Sequence, residues 1–579
     1  MQDNIHVGLT MPGLLLIFPL VASMMCLLTT QALDIAEVDE MLTAAHACRA
    51  HTNPGLTVSV VKEGQILLSR GYGSTRIQGN PKVDENTLIG LASLTKAFAA
   101  ALLLKAMDDD GRYNISTPLR HILGQDFRFA DDFRTQEATV EDLLSHRMAI
   151  PPNNLIRFDS TLTRSNLQKF VLQDILSLVF RSRYLYNNLM YGLATHITEI
   201  IGQDTWENLM IRHILGPLGM ARTTFSKALD PGEVNFAPPV EDYYGELKYM
   251  SVQLNKVFAE LGGSGSILST ANDMAKWMNF HLYRGLVDGK RVMEEKVLEE
   301  TYKPRAAITP NPLPLFQQPT VPVTHSYDAY GLGWRLGYYR GYPTLGHSGS
   351  THGYRSLLTL IPSLKVGVFT AMTGKDPEIA FRGTLHSFLL DHVLNVTSWL
   401  NVTTMCTFPA PWYPVNETKS EPVYNHSLPL AHSLSSYTGY YSNPAYGVVE
   451  VKKWTPVDSQ EQSGNENYTT NRLTVQYGLG VWDMFPIRPV SSKFPPGSEF
   501  FFGKGRNINN WLDYSPFVFH PPSQETAMVE YLSIPAFDSQ VPPMFVRIHH
   551  TVESSGNTLS SSYFVCCIVF VIFILFLAA

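Results

Sequence analysis

Ser93-Leu94-Thr95-Lys96 places a hydroxyl and an amine three residues apart, which on a helix is one turn and one face. A serine hydroxyl is a poor nucleophile until a base takes its proton, and S-x-x-K supplies that base locally. The spacing alone is weak evidence, because a chain of 579 residues holds roughly two such pairs by accident; the plain alternative is two polar residues on a helix. The surroundings favour chemistry. The apolar run Leu88-Ile89-Gly90-Leu91-Ala92 precedes the serine, and Ala97, Phe98, Ala101, Leu102 and Leu104 follow at helical spacing. The serine thus opens a buried helix, where unpaired N–H groups and the positive pole favour a developing oxyanion. Lys96, in the same apolar setting, loses preference for its charged form and becomes a usable base near neutral pH.

Two further pieces follow in chain order: Tyr186-Asn187-Asn188, a Y-x-N, and the glycine-bearing Gly346-His347-Ser348-Gly349-Ser350, a short polar strand. With these three parts the chain resembles the serine β-lactamase and penicillin-binding protein family. The likeness is to its class C β-lactamase and D-Ala-D-Ala carboxypeptidase branch, with its esterase relatives, over about residues 33–401. Further matching stretches are Asp142-Leu-Leu-Ser-His146, Tyr186 to Ala194, Pro217-Leu-Gly-Met220 with Thr223 and Thr224, Gly263 to Ala271 with Asp273, and Gly331-Leu-Gly-Trp334. The resemblance implies that Ser93 is the nucleophile, Lys96 its partner and Tyr186 the proton shuttle to the leaving group. Asn188 would hold Lys96 or the substrate amide. His347, Gly349 and Ser350 would border the substrate, and the backbone N–H groups of Ser93 and Ser350 would form the oxyanion hole. No cofactor and no metal is implied.

Two departures from the family pattern stand out. His347 occupies a position where relatives carry lysine, and an ordinary histidine is mostly neutral at pH 7, so capture of a substrate carboxylate should be weaker. This points toward an esterase, amidase or peptidase rather than a dedicated β-lactamase. Arg355 could restore the charge, although an arginine at a surface is the plainer reading. The second departure, Arg147-Met148-Ala149 after Leu-Leu-Ser-His, has no consequence legible in the sequence. Two decoys fail: Tyr441-Ser442-Asn443 lies after the His-Ser-Gly strand in a segment of strand character, and Gly346 to Ser350 approaches a nucleophile elbow around Ser348 but is followed by a hairpin rather than a helix. No H-E-x-x-H or C-x-x-C occurs.

The elements that must position these groups read as an α/β (α+β) domain. A first hairpin, Thr57 to Val61 and Gln65 to Ser69, and three late strands between Thr344 and Met372 form an antiparallel sheet flanked by terminal helices. A helical subdomain carries Ser93 and Tyr186. The expected organisation is a signal peptide over 1–32, the hydrolase domain over 33–405, a linker over 406–432, a small barrel-like β domain over 433–550 and a C-terminal anchor over 551–579. The opening Tyr437-Thr-Gly-Tyr-Tyr of the β domain resembles the lipocalin-like module attached to some family members.

The apolar segment Met11 to Leu28, with Thr30 and Ala32 before a cleavage point, reads as a signal peptide, with an uncleaved anchor as the alternative since no Lys or Arg precedes it. The apolar run Tyr563 to Ala579 after Ser554-Ser555-Gly556 has the layout of a glycosylphosphatidylinositol signal; a short membrane span is the rival. Cys26 leaves with the signal, and Cys566 and Cys567 lie in the tail. That leaves Cys48 and Cys406, either free or paired, and in this family the first and last helices that carry them pack side by side. A bridge would contribute on the order of 4 kcal/mol. Sequons at Asn114, Asn395, Asn401, Asn416, Asn425 and Asn467 add to a secretory reading. A net charge of −7 with no basic stripe excludes nucleic acid as an expected partner. A small-molecule or peptide substrate and a membrane anchor are the expected partners; oligomeric state is not legible. Two functions stay open: an extracellular or cell-surface serine hydrolase acylated at Ser93 by an ester or amide, or a non-catalytic binding or matrix protein that keeps the scaffold.

Overall fold

The computed structural model describes residues 35–549, except scattered single positions and the internal stretches 168–177, 244–245, 252–258, 309–320, 415–427, 456–471, 489–492, 507–515 and 538–541. The expected signal peptide, the C-terminal anchor, Cys26, Cys566, Cys567 and the sequon residues Asn416, Asn425 and Asn467 lie outside the described residues.

The first helix, α1 (Ile35–Ala47), leads into the hairpin β1 (Gly55–Lys62) and β2 (Gln65–Gly73). Its two-residue turn is Glu63-Gly64, both at positive φ (49° and 84°), the backbone that matches the twist of antiparallel strands. The helical region contributes α2 (Thr95–Asp110), α3 (Asn188–Gly202) and α4 (Ala271–Leu282). The chain then returns to the sheet as β3 (Ala306–Ala307), β4 (His325–Tyr330), β5 (Arg335–Tyr339), β6 (Tyr342–Thr351), β7 (Tyr354–Ile361) and β8 (Val366–Thr373), and ends this part with α5 (Ala380–Val393). The sheet order is β3-β4-β5-β6-β7-β8-β1-β2, antiparallel at every pairing. The expected five strands are present, and the sheet is extended by β3, β4 and β5.

Strand alternation divides the core. Leu56, Val58 and Val60 of β1 with Val366 and Val368 of β8 face α1 and α5 through Leu42, Leu385 and Leu389. On the other face Val61, Leu358, Phe369 and Ala371 meet Phe98, Trp277 and Met278 of α2 and α4. Phe98 and Trp277 stack with ring centroids 3.7 Å apart, so the site helix is anchored to α4 by aromatic packing. Cys48, just past α1, is disulfide-bonded to Cys406 in the short helix Val402–Thr407, with Cα atoms 6.0 Å apart. Asn114, Asn395 and Asn401 are exposed.

The C-terminal region is a closed eight-stranded barrel, β9 (Gly439–Asn443), β10 (Gly447–Lys453), β11 (Leu473–Tyr477), β12 (Gly480–Ile487), β13 (Glu499–Gly505), β14 (Pro516–Phe519), β15 (Tyr531–Ser533) and β16 (Met544–Arg547), with β9 paired to β16. The decoy Tyr441-Ser442-Asn443 lies within β9. Described residues through Arg547 form one compact unit, and the barrel touches the sheet-and-helix domain directly: the Leu479 N–H donates to the Phe158 carbonyl at 3.3 Å. Gly478 is a glycine for a steric reason, since a Cβ there would lie 1.6 Å from that same carbonyl oxygen. Among the described residues no helix is long and apolar enough to cross a membrane.

Candidate active site

Ser93 sits in the 3₁₀ turn Ala92–Leu94 that runs directly into α2. Ala92 and Leu94 are buried while Ser93 is partly exposed, so the chain fixes the turn from within and leaves the hydroxyl reachable. Ala92 adopts φ 49°, a left-handed conformation uncommon for a residue with a Cβ, immediately before the serine.

Lys96 is fully buried. Its Nζ has three partners: Asn188 Oδ1 at 2.7 Å, the Ser264 carbonyl at 2.8 Å and Ser93 Oγ at 3.3 Å. Both oxygens of the first two can only accept. A neutral amine has two hydrogens and one lone pair, so with the hydrogens committed to Asn188 and Ser264, the lone pair is left for the serine proton. Burial drives the Lys96 pKa well below its ordinary value, and the positive charges of Arg157 and Arg335 push it the same way.

Tyr186 covers this amine, with Lys96 Nζ 4.7 Å from its ring centroid, so the hydroxyl, the amine and the phenol do meet in one place. The phenol oxygen is buried without a hydrogen-bond partner of normal geometry, and burial raises its pKa, offset in part by the Ser93 hydroxyl. The loop around it is set by Asn187, which caps α3 through the Leu189 N–H and donates to the Ile150 and Pro151 carbonyls at 2.9 Å each. The Asn187 N–H donates to His146 Nδ1 at 3.1 Å, and the buried His146 ring lies 4.4 Å from that of Tyr186.

The polar strand is β6, and Ser348 lies within it rather than on a strand-to-helix elbow. Pairing with β5 stops at Arg335–Gly346, so beyond Gly346 the β5 side of β6 is an open edge toward the cleft. His347 is buried and spends both ring nitrogens: Nδ1 on the Ser348 carbonyl at 2.7 Å and Nε2 on the Tyr330 hydroxyl at 3.0 Å. The carbonyl can only accept, so the proton is on Nδ1 and Nε2 accepts from the phenol. Burial, then Arg335 and Lys96, hold His347 well below the ordinary histidine pKa, so it is neutral. Gly349 packs against the turn that holds Ser93, where a Cβ would lie 2.1 Å from the Leu91 carbonyl oxygen. Ser350 is exposed.

Arg355 does not present its charge to the cleft. It pairs with Glu241 at 2.8 and 3.0 Å and donates to the Thr351 and Tyr354 carbonyls, bracing the β6–β7 turn whose Gly353 N–H also donates to Glu241. The cation the sequence reading did not find is Arg335, one residue past Gly331-Leu-Gly-Trp334. Its charge acts on Lys96, His146, His347 and Tyr186, and its buried Nε has no hydrogen-bond partner among the described residues. The Arg147 departure is also explained: Arg147 and Arg181 both pair with the fully buried Asp142, at 2.7 and 2.6 Å.

The family model for β-lactamases matches residues 38–389. The unguisins hydrolase ungD of Aspergillus violaceofuscus is 29% identical over 436 residues, covering 69% of this chain and 73% of that protein. Gigasin-6 of Magallana gigas is 34% identical over 240 residues, 41% of this chain and 78% of its own. Among solved structures, the octameric penicillin-binding protein homologue from Pyrococcus abyssi aligns over 88% of this chain and 100% of that one, at 17% identity and a TM-score of 0.53, a likeness of fold.

Proposed function

This chain belongs to the β-lactamase family of serine hydrolases, and from that premise we propose that it hydrolyses an ester or amide that carries an anionic group, through an acyl-enzyme at Ser93. The observation that carries the reading is the set of partners around Lys96, which leaves its lone pair for one hydroxyl. In the first step Ser93 Oγ bonds to the substrate carbonyl carbon and its proton passes to Lys96. The carbonyl electron pair moves to oxygen, facing the N–H groups of Ser93 and Ser350. The tetrahedral centre collapses, the bond to the alkoxide or amine breaks, and the leaving atom takes a proton through Tyr186. Water then adds to the Ser93 ester with the same base taking its proton, and the acid product leaves with the serine restored.

Arg335 supports an anionic substrate group. His347 is neutral, Arg355 is occupied and Arg157 is buried, whereas Arg335 is partly exposed, so Arg335 is the guanidinium placed to meet a carboxylate beside the reacting carbonyl. Esters of matched reactivity with and without a carboxylate, assayed on wild type and Arg335→Gln, test this: the carboxylate should lower KM only in wild type. Nucleophile identity is tested by a fluorophosphonate probe, and a folded protein inert to it would favour the non-catalytic binding reading.

We also propose a secreted or cell-surface location. The Cys48–Cys406 bridge supports an oxidising compartment, and the C-terminal apolar run supports a glycosylphosphatidylinositol anchor. Release from cells by phosphatidylinositol-specific phospholipase C would separate the lipid anchor from a membrane span.

A further inference from the structure

Arg382, near the start of α5, is fully buried, and its guanidinium is shared between one carboxylate and two backbone carbonyls. Nε pairs with Asp376 Oδ2 at 2.6 Å, and Nη1 donates to the Gly349 carbonyl at 2.7 Å and to that of Ser356. Asp376 is fixed in turn, accepting the Phe381 N–H at 2.8 Å and the Arg382 N–H at 3.2 Å. A buried ion pair is a weak source of net stability, because desolvation of both charges offsets their attraction. The two carbonyls it holds lie opposite one another on β6 and β7, beside the catalytic cleft.

We propose that Arg382 and Asp376 are positioning residues that aim and polarise the oxyanion hole, an inference that rests on the hydrolase reading above. The Gly349 carbonyl and the Ser350 N–H belong to one trans peptide group and point in opposite directions. Arg382 grips the carbonyl end on the β7 side, so the N–H end is directed to the open edge of β6, where Ser93 lies. A charged donor on the carbonyl draws electron density from the nitrogen and strengthens the N–H as a donor to a developing oxyanion.

The second N–H of the hole is tied to the same frame through Ser356. Its carbonyl accepts from Arg382, while its hydroxyl donates to the Leu91 carbonyl at 2.6 Å, two residues before the nucleophile. That bond and the close approach of Gly349 hold the turn in which Ala92 keeps its left-handed φ. One guanidinium therefore sets the relative placement of both donors.

The test compares Arg382→Lys and Asp376→Asn with Asp391→Asn, a control that breaks the ion pair between buried Asp391 of α5 and the partly exposed Arg340. Rates on a chromogenic ester are normalised to the folded fraction given by near-ultraviolet circular dichroism. Loss of an oxyanion donor costs 10²–10³-fold in kcat, so its misorientation should cost on the order of 10- to 100-fold at nearly unchanged KM. The acyl-enzyme carbonyl stretch in the infrared should move to higher frequency in both variants and stay in place in Asp391→Asn. Two Arg382/Asp376 variants with wild-type kcat and an unmoved stretch would overturn the inference, as would a control that falls equally. A wild type that forms no acyl-enzyme at Ser93 would instead overturn the hydrolase reading beneath it.

Discussion

Lys96 Nζ and Asn188 Oδ1 lie 2.7 Å apart although 92 positions separate the residues along the chain, and this contact joins α2, which carries Lys96, to the start of α3. Asn188 thereby decides which way the amine lone pair faces. Asn188→Ala should lower kcat by roughly 10- to 100-fold, the worth of one buried hydrogen bond to an ionisable group, about 1.5–3 kcal/mol. Steady-state kinetics with an ester substrate checks it; a change confined to KM would assign Asn188 to substrate binding instead.

The same amine sets the pH profile. Acylation needs neutral Lys96, so activity should rise with pH through a pKa well below that of ordinary lysine. Arg335 is one of the charges that lowers it, so Arg335→Gln should raise the Lys96 pKa and move the acidic limb of kcat/KM to higher pH. A limb that stays in place would show that Arg335 has no part in setting the amine, leaving burial and Arg157 to control it.

Much of this site is legible in the sequence because its chemistry is carried by side-chain types at short range. Ser93 and Lys96 are one turn apart, and Tyr186 precedes Asn188 by two. What is not legible is carried by backbone or by distant partners. The Ser264 carbonyl that takes a Lys96 hydrogen has no residue-type signature, and Gly263 reveals the site only sterically, through a Cβ that would sit 2.8 Å from Ala99 Cβ and Thr195 Oγ1. Arg355 has the right type and place to face substrate, but Glu241, 114 residues away, claims it. The three added strands escape notice because β3 has two residues and β4 and β5 are rich in tyrosine and polar residues, without clean alternation.

Acid stability should follow the buried histidines. His281, neutral in the core against Tyr302, has its pKa lowered to about 3 by burial, and His325 likewise to about 4. Their folded pKa values lie below the unfolded value, so the unfolded state binds more protons in between. Stability is complete above about pH 6.5 and falls by about 1.4 kcal/mol per pH unit for each such histidine as pH drops toward the folded value. Denaturant melts from pH 7 to 4 should show this slope, and His281→Phe should reduce it by one proton.

The Cys48–Cys406 bridge closes most of the hydrolase domain into one loop, with a sequence separation of 358. The double substitution Cys48→Ser with Cys406→Ser should lower stability by about 2–5 kcal/mol while leaving kcat near wild type, since the bridge lies with α1 on the face of the sheet opposite α2. Urea denaturation read alongside ester turnover tests both halves; a stability equal to wild type would show that the bridge adds nothing.

The barrel turn at Gly478 rests on the Phe158 carbonyl, next to Arg157, whose charge helps lower the Lys96 pKa. Gly478→Val would drive the turn off that segment. The expected result is an intact barrel by far-ultraviolet circular dichroism, with a several-fold change in kcat/KM for bulky substrates. Unchanged kinetics would make the barrel a spacer rather than part of the cleft wall.

The central claim is that Ser93 is the atom acylated, and the direct measurement is fluorophosphonate labelling of the purified protein followed by peptide mass spectrometry. The account predicts one adduct, on Ser93, absent in Ser93→Ala and strongly slowed in Lys96→Met. A folded protein that takes no label between pH 6 and 9, or one labelled at Ser348 instead, would contradict it.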